Sequence, residues 1–163
     1  MGPQLHKIYL LLGSNQQQPA KQLERAEKKV DKLIGKVIRK SKIYQTEAWG
    51  NVPQPDFLNR VLVVQTTLKA TSVLQTILQI EQSMGRIRTK RYAPRVIDID
   101  ILFFDKEIIH QSNLKVPHPL LAERNFVLVP LNELSPQFIH PEKNESVHEL
   151  MKKCKDTLNV KRI

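Results

Sequence analysis

The stretch Arg91-Tyr92-Ala93-Pro94-Arg95-Val96-Ile97-Asp98-Ile99-Asp100-Ile101-Leu102 places arginines just upstream of two carboxylates that alternate with branched apolar residues. Alternation with period two predicts a half-buried strand. Side chains two apart on a strand share a face, so Asp98 and Asp100 stand side by side, about 6–7 Å apart at the backbone. Ile97, Ile99 and Ile101 then point the other way, into a core. Two close carboxylates repel each other, a cost that a cation between them removes. Hard cations with oxygen ligands, Mg2+ above all, suit such a pair. The guanidinium forks of the arginines match phosphate oxygens two bonds at a time. Carboxylates, metal and arginine together make a polyphosphate site. A lone Asp-x-Asp is more often a solvated strand face, so the rest of the chain must decide.

The elements that position this stretch can be read from periodicity and turn residues. Residues 7–12 form a short buried strand, followed by a Gly13-Ser14-Asn15 turn. Pro19 opens a helix whose apolar face is Leu23, Ala26, Val30 and Leu33, and Gly35 can stop it. Residues 36–46 read as one strand, 47–56 as a loop containing Gly50, Pro53 and Pro55, and 57–68 as a second strand. Thr71 or Ser72 can cap a helix with Val73, Leu74, Ile77, Ile80 and Met84 on one face and Gly85 at its end. After the carboxylate strand, which runs to Phe104, Asp105-Lys106 reads as a hairpin turn into Glu107-Ile108-Ile109. Val116-Pro117-His118-Pro119 is a rigid extended segment, 120–125 a helical turn, 126–129 a short extended piece and 146–155 a helix. The order β-α-β-β-α-β predicts an α+β, ferredoxin-like sandwich. Its sheet is mainly antiparallel with two helices on one face, extended by a C-terminal hairpin and helix, all in one domain over residues 1–163.

Composition narrows the function classes. The chain has 163 residues, 40% hydrophobic and 26% charged, which suits a single globular domain with a real core. No apolar run is long enough to span a membrane, and the N-terminus lacks the apolar region of a signal peptide. The one cysteine, Cys154, forbids an intrachain disulfide and fits a reducing cytoplasm. The net charge of +10 points to anionic partners. Lysines such as Lys28, Lys29, Lys152 and Lys161 read as solvated faces, whereas the run Arg86-Ile87-Arg88-Thr89-Lys90-Arg91 is compact and leads directly into the carboxylates.

Four ordered blocks carry a resemblance. Residues Arg91 to Leu102 match the signature basic–spacer–small–Pro–Arg–two spacers–Asp–aliphatic–Asp–two aliphatics. Around them stand Gly13-Ser14-Asn15, Pro55-Asp56-Phe57-Leu58-Asn59, and Val116-Pro117-His118-Pro119 with Arg124-Asn125-Phe126 and Pro130-Leu131. In these the chain resembles the 6-hydroxymethyl-7,8-dihydropterin pyrophosphokinase family over nearly its whole length. The resemblance implies transfer of the β,γ-pyrophosphoryl group of ATP to the pterin hydroxymethyl group, with AMP leaving, in folate biosynthesis. It implies two Mg2+ ions, ATP as co-substrate, a monomer, and no nucleic acid or membrane partner.

The resemblance also assigns roles. Asp98 and Asp100 are the expected Mg2+ ligands, and Arg86 and Arg95 the catalytic phosphate clamps. Arg88 and Arg91 lie in a loop that would close over the nucleotide. ATP contacts are expected from Glu81, Ile101, His118 and Arg124, although an exposed helix position explains Glu81 equally well. Phe57 and Phe126 match the pair that stacks on the pterin, and Asn59, Thr46 and the chain near Ala48 and Trp49 complete its hydrogen-bonding edge, with Asp98 on the substrate side. Asn59 is the most telling of these, because a polar amide in an apolar strand needs a partner.

Departures from the family pattern fall elsewhere: a short loop around Tyr92, Pro119 beside the histidine, and Leu78 where glutamine occurs in some members. The rival from another class is an RNA-recognition module on the same sheet plan. It would need K/R-G-F/Y-G/A-F-V-x-F/Y, which is absent, and Asp98 and Asp100 sit where a base would stack. A second rival, another metal-dependent phosphoryl transferase using Asp-x-Asp, gives no reason for Phe57, Asn59 and Phe126.

Overall fold

The computed structural model describes residues 4–50, 53–86 and 95–163. Among them the strands are β1 (His6–Ser14), β2 (Lys36–Lys40), β3 (Tyr44–Thr46), β4 (Phe57–Thr66), β5 (Asp98–Phe104), β6 (Ile109–Gln111), β7 (Leu114–Val116) and β8 (Val160–Arg162). The helices are α1 (Pro19–Leu33), α2 (Ala70–Ser83), α3 (Asn125–Leu134) and α4 (Val147–Lys153), with a 3-10 turn at Leu121–Glu123. The main sheet runs β5-β1-β4-β3-β8, and β2 joins the far end of β4 beside β3. Every pairing in it is antiparallel. β6 and β7 form a separate hairpin.

Each face of this sheet carries a helical layer. Leu23, Ala26 and Val30 of α1 and Val73, Ile77 and Ile80 of α2 recur at helical spacing and bury themselves on Ile8, Leu10, Leu12, Leu62, Val64, Ile97, Ile99 and Ile101. The other face presents Tyr9, Leu11, Val61, Val63, Leu102 and Phe103 to Val127, Leu128 and Leu131 of α3 and Val147 and Leu150 of α4. A bulge keeps this consistent. Tyr9 pairs with Phe103 but Leu10 with Ile101, so Leu102 is the extra residue and turns toward α3 together with Phe103. Ile101 and Phe104, three apart, consequently both face α1 and α2.

Several local expectations give way to tertiary contacts. The strand expected over 36–46 breaks at Ser41, which exchanges both its N–H (2.9 Å) and its Oγ (3.0 Å) with the Val61 backbone. Gly35 follows the end of α1, but its specific need for glycine is close packing: a Cβ there would drive into the Gln65 carbonyl. Neither Thr71 nor Ser72 caps α2; both lie inside it, and Lys69 is the N-cap. The strand after the Asp105-Lys106 turn begins at Ile109 and pairs with β7 rather than back onto β5. Residues 126–129, expected to be extended, lie in α3. There Val127, Leu128, Leu131 and Leu134 are all buried, and their burial against the sheet outweighs the strand preference of the run and the interior Pro130. β8 was not anticipated, because three residues ending in Lys161-Arg162 carry no apolar alternation; main-chain pairing with β3 forms it.

Candidate functional site

The α3–α4 layer covers only part of its face. Past Leu11 and Val61 the same face continues as Gly13, then Asn59 and Phe57 on β4, Thr46 on β3, and Asp98 and Asp100 on β5. These residues floor a cleft walled by Arg86, Arg95, His118, Leu120, Arg124, Phe126, Trp49 and Glu47. Gly13 is central: its register partners are Asp98 on one side and Asn59 on the other. A Cβ on Gly13 would stand 2.6 Å from Asn59 Nδ2, so glycine keeps the floor open.

The charged end is built by one turn of chain. Gly85 adopts φ 89°, and the Arg86 N–H returns to the Glu81 carbonyl at 3.0 Å. This folds the Arg86 side chain back across the end of α2. Its Nη1 donates to Glu81 Oε2 (2.6 Å) and Asp98 Oδ1 (2.7 Å), and Arg95 Nη1 donates to Asp98 Oδ2 (2.7 Å). Glu81, only 2% exposed, also accepts from the Ile99 N–H at 2.8 Å. The reading of Glu81 as an exposed helix residue is therefore wrong. Buried at the root of β5, it orients Arg86 and holds the carboxylate strand in place. Asn15 supports the other arginine: its Oδ1 accepts from the Arg95 N–H (2.9 Å), while its Nδ2 donates to Gln54 Oε1 (2.8 Å) and the Pro55 carbonyl (3.0 Å).

Asp100 differs from Asp98. No hydrogen bond or ion pair reaches it among the described residues, although Arg86 and Arg95 are near enough to favour its charge. Burial, then the Asp98 charge, then Glu81 hold its carboxyl well above the usual carboxylate range. An under-compensated carboxylate beside a second one, in a cleft with phosphate-type donors, fits Mg2+. That ion takes one or two carboxylates and completes its shell from substrate phosphates and water. A complete protein cage is not present: among the described residues no group of three or more His, Cys, Asp or Glu side chains could hold a metal.

His118 marks the boundary of the charged end. A cis Val116–Pro117 bond precedes it, and its N–H donates to the Leu102 carbonyl at 3.1 Å. Its Nδ1 accepts from the Leu120 N–H at 3.2 Å, which assigns the proton of the neutral ring to Nε2. Burial, and then the Arg124 charge, push its pKa down to about 4. It is thus a neutral donor at physiological pH.

The other end of the cleft is aromatic. Arg124 lies over the Trp49 ring (4.8 Å to the centroid) and the Phe126 ring (5.5 Å), and those two rings meet edge-on at 6.4 Å. Phe57 stands across the register from Thr46. Three buried polar atoms of residues lining this cleft have no partner among the described residues: Thr46 Oγ1, Trp49 Nε1 and Asn59 Oδ1. Asn59 Nδ2 makes one long bond, 3.3 Å, to the Leu12 carbonyl. Unpaired buried polar atoms are costly, and a flat ligand with donors and acceptors on its edge would satisfy them.

A second cavity adjoins the first. Leu74, Ile77, Leu78, Ile99 and Ile101 line its apolar side, Ser112, Asn113 and Lys115 its polar side, and Asp100 and His118 belong to both cavities. The sequence-predicted residues are therefore shared out. Arg86, Arg95, Asp98, Asp100, His118, Arg124, Thr46, Trp49, Phe57, Asn59 and Phe126 converge on the first cleft, and Ile101 lines the second. Ala48 lines neither, Glu81 acts from behind, and Arg88 and Arg91 lie outside the described residues. Sequence reasoning missed Gly13, Leu11, Glu47 and Leu120 as walls. Gly13 had a signal, standing in a Gly-Ser-Asn run at a strand end; the other three had none.

Fold and cleft together define a class: an antiparallel α/β protein with a cleft lined by arginines and carboxylates at one end and by aromatic rings at the other. Residues 9–136 match the family described as 7,8-dihydro-6-hydroxymethylpterin-pyrophosphokinase (HPPK). The chain is 38% identical over 115 residues to a 2-amino-4-hydroxy-6-hydroxymethyldihydropteridine pyrophosphokinase of Synechocystis, spanning 71% of this chain but only 58% of that one. To the protein of the same name from Aquifex aeolicus it is 39% identical over 134 residues, 82% of this chain and 83% of the relative. The fold is shared with Plasmodium falciparum HPPK-DHPS at a TM-score of 0.78 and 20% identity, covering 93% of this chain and 46% of that one. This chain belongs to the 7,8-dihydro-6-hydroxymethylpterin-pyrophosphokinase family.

Proposed function

We propose that this chain transfers pyrophosphate from ATP to the hydroxymethyl group of 6-hydroxymethyl-7,8-dihydropterin, releasing AMP, as a step of folate synthesis. The observation that carries this reading is the set of unpartnered buried atoms, Thr46 Oγ1, Trp49 Nε1 and Asn59 Oδ1. Their residues line the same cleft as Phe57, Phe126, Asp98, Asp100 and Arg95. A polyphosphate site alone gives no reason for them; a pterin edge does. The strand order also supports the ferredoxin-like plan, since β5-β1-β4 followed by β2 and β3 is its 4-1-3-2 arrangement with the last strand split. We read residues 1–163 as one such domain, working as a monomer in the cytoplasm, where a chain with Cys154 as its one cysteine needs no disulfide.

In this reading the pterin ring lies between Phe57 and Phe126, with Asn59 and Thr46 on its edge and the hydroxymethyl group toward Asp98. The adenosine enters the second cavity, against Leu74, Ile77 and Ile101. The triphosphate then crosses Asp100 and His118, the two residues common to both cavities. The hydroxyl oxygen attacks the β-phosphorus in line with the bond to the α,β-bridging oxygen. That bond breaks, AMP leaves with the bridging oxygen, and the hydroxyl proton passes to solvent water. Arg95 and Arg86 neutralise charge on the equatorial oxygens, and neutral His118 donates Nε2–H to a phosphate oxygen without adding charge. Asp98 and Asp100 would hold two Mg2+ ions, which supply charge neutralisation and a template for the triphosphate. Arg86 and Arg95 both pair with Asp98, which keeps its carboxylate placed.

The test is direct. Protein, ATP, Mg2+ and 6-hydroxymethyl-7,8-dihydropterin are mixed and the nucleotide product is identified. AMP formed in proportion to pterin supports the reading, whereas ADP, or turnover indifferent to pterin, removes it.

A further inference from the structure

The aromatic end of the cleft is assembled from separate elements: Thr46 from β3, Phe57 and Asn59 from β4, Arg124 and Phe126 from the start of α3. The β3–β4 ladder fixes the first three, placing Thr46 against Phe57. It does not fix α3, whose start has no side-chain cap of its own. The far end of α3 is tied down by Glu133, which accepts from Tyr44 Oη (2.7 Å) and the Lys42 N–H (3.0 Å). The near end, which carries Arg124 and Phe126, is held by the last segment of the chain. Asp156 Oδ2 accepts from the Asn125 N–H at 2.9 Å, and Asn125 Nδ2 donates to the Asp156 carbonyl at 3.1 Å. A carboxylate on the first N–H of a helix satisfies an orphan donor and suits the positive end of the helix dipole. The other Asp156 oxygen accepts from the Leu158 N–H at 3.0 Å, turning the chain toward β8. β8 then sets Val160 against Thr46, Lys161 against Gln45 and Arg162 against Tyr44, and the Ile163 N–H donates to the Ile43 carbonyl at 3.0 Å.

We propose that Asp156 and β8 form a clasp joining the start of α3 to β3. The clasp sets the gap between Phe126 with Arg124 on one side and Thr46 with Asn59 on the other, which makes Asp156 a positioning residue for the flat heterocyclic substrate. The residues that would touch the heterocycle are distant in sequence, and the 156–163 segment hydrogen-bonds both the first residue of α3 and β3, at the end of α3 opposite the Glu133–Tyr44 bond. The nucleotide cavity owes it nothing: Leu74, Ile77, Ile101 and Lys115 lie on α2, β5 and β7, none of which the segment pairs with. The clasp therefore acts on one substrate and not on the other. This inference rests on the pterin reading of the aromatic end.

The experiment uses full-length wild type, Asp156→Ala, Asp156→Asn and Lys161→Pro. Dihydropterin affinity, ATP affinity, kcat and the unfolding midpoint are measured for each. Losing a charge-assisted bond at the helix start in Asp156→Ala weakens dihydropterin binding about tenfold and leaves ATP affinity within about twofold. Asp156→Asn, which keeps an oxygen for the Asn125 N–H, recovers part of the loss. By strand alternation from the Ile163–Ile43 bond, the Lys161 N–H faces β3; Lys161→Pro removes it and reproduces the selective loss by an independent route. Dihydropterin affinity unchanged in both Asp156→Ala and Lys161→Pro overturns the clasp. So does an equal loss for both substrates with a lowered midpoint, the mark of a merely structural contact. Should Asp156→Ala not fold, Lys161→Pro decides alone. A wild type that does not bind dihydropterin at all overturns the pterin reading itself, and so is distinguished from failure of the clasp.

Discussion

Neutralising Asp100 should stabilise the metal-free protein while it destroys catalysis. Asp98 and Asp100 stand two residues apart on β5, about 6.5 Å at the backbone. At an effective dielectric of about 20, two unit charges at that distance repel by about 2.5 kcal/mol. Asp98 has Arg86 and Arg95 as direct partners; Asp100 has none among the described residues, and burial adds to its penalty. Asp100→Asn removes the repulsion and loses part of the attraction to the two arginines, leaving a net gain of about 1–2 kcal/mol. For a chain of this size the unfolding midpoint then rises by about 3–6 °C. The assay is thermal unfolding of both proteins in chelator, from neutral pH downward. The sign follows from the raised carboxyl pKa. The folded state holds the Asp100 proton more tightly than the unfolded state, so ionisation costs stability as pH rises through the raised value. The advantage of the variant should therefore be full at neutral pH and shrink in acid. Adding Mg2+ with a non-hydrolysable ATP analogue should stabilise the wild type and not the variant. An Asp100→Asn protein no more stable than wild type in chelator at neutral pH would refute the reasoning.

The remaining perturbations probe other parts of the cleft. Gly13→Ala pushes a methyl group onto Asn59 Nδ2 and should weaken dihydropterin binding about tenfold in titration calorimetry while ATP binding persists. Thr46→Val removes an atom with no partner among the described residues, so the free protein should be no less stable but should bind dihydropterin about tenfold more weakly. Glu81→Gln leaves Arg86 and the Ile99 N–H imperfectly paired, and denaturant unfolding should show a loss of about 3 kcal/mol together with lost turnover. His118 stays neutral down to about pH 4 in the folded state against an ordinary value of 6.5, so the unfolded state binds more protons between them. Its contribution to stability should be intact above about pH 6.5 and fall away toward pH 4, and a His118→Gln variant should lack that part of the pH dependence.

What could be read in advance depended on how local its cause was. Asp98 and Asp100 announce a shared face because strand alternation is a property of adjacent residues, and Asn59 stands out as a polar amide near the start of an apolar run. The convergence of Thr46, Phe57 and Phe126 came from the resemblance, since nothing in spacing relates α3 to β3. Glu81 could not be placed because its burial depends on Gly85 reversing the chain, after which Arg86 lies across it. The nature of α3 was hidden by Phe126-Val127-Leu128-Val129, a run with strand composition whose burial on the second face selects helix. β8 was hidden for the opposite reason: its side chains are mostly exposed, and its only structural content is main-chain pairing.

The same sheet face serves as core and as site, and a single change of residue size separates the two uses. Along β1 the inward positions run Tyr9, Leu11, Gly13; along β4 they run Val63, Val61, Asn59, Phe57. The large residues at one end are covered by α3 and α4 and are almost fully buried. At the other end the side chain shrinks to nothing at Gly13, and the neighbouring strands put Asp98 and Asn59 on either side of the gap. The gap is narrow, because its width is two strand spacings, about 9–10 Å. A substrate seated on Gly13 is therefore within reach of the carboxylate strand and of the amide at once. Transfer between two ligands needs the acceptor oxygen and the phosphate in line at contact distance. A rigid antiparallel sheet with a glycine on an interior strand supplies that proximity from the backbone itself, and the arginines and the C-terminal segment refine it from the rim.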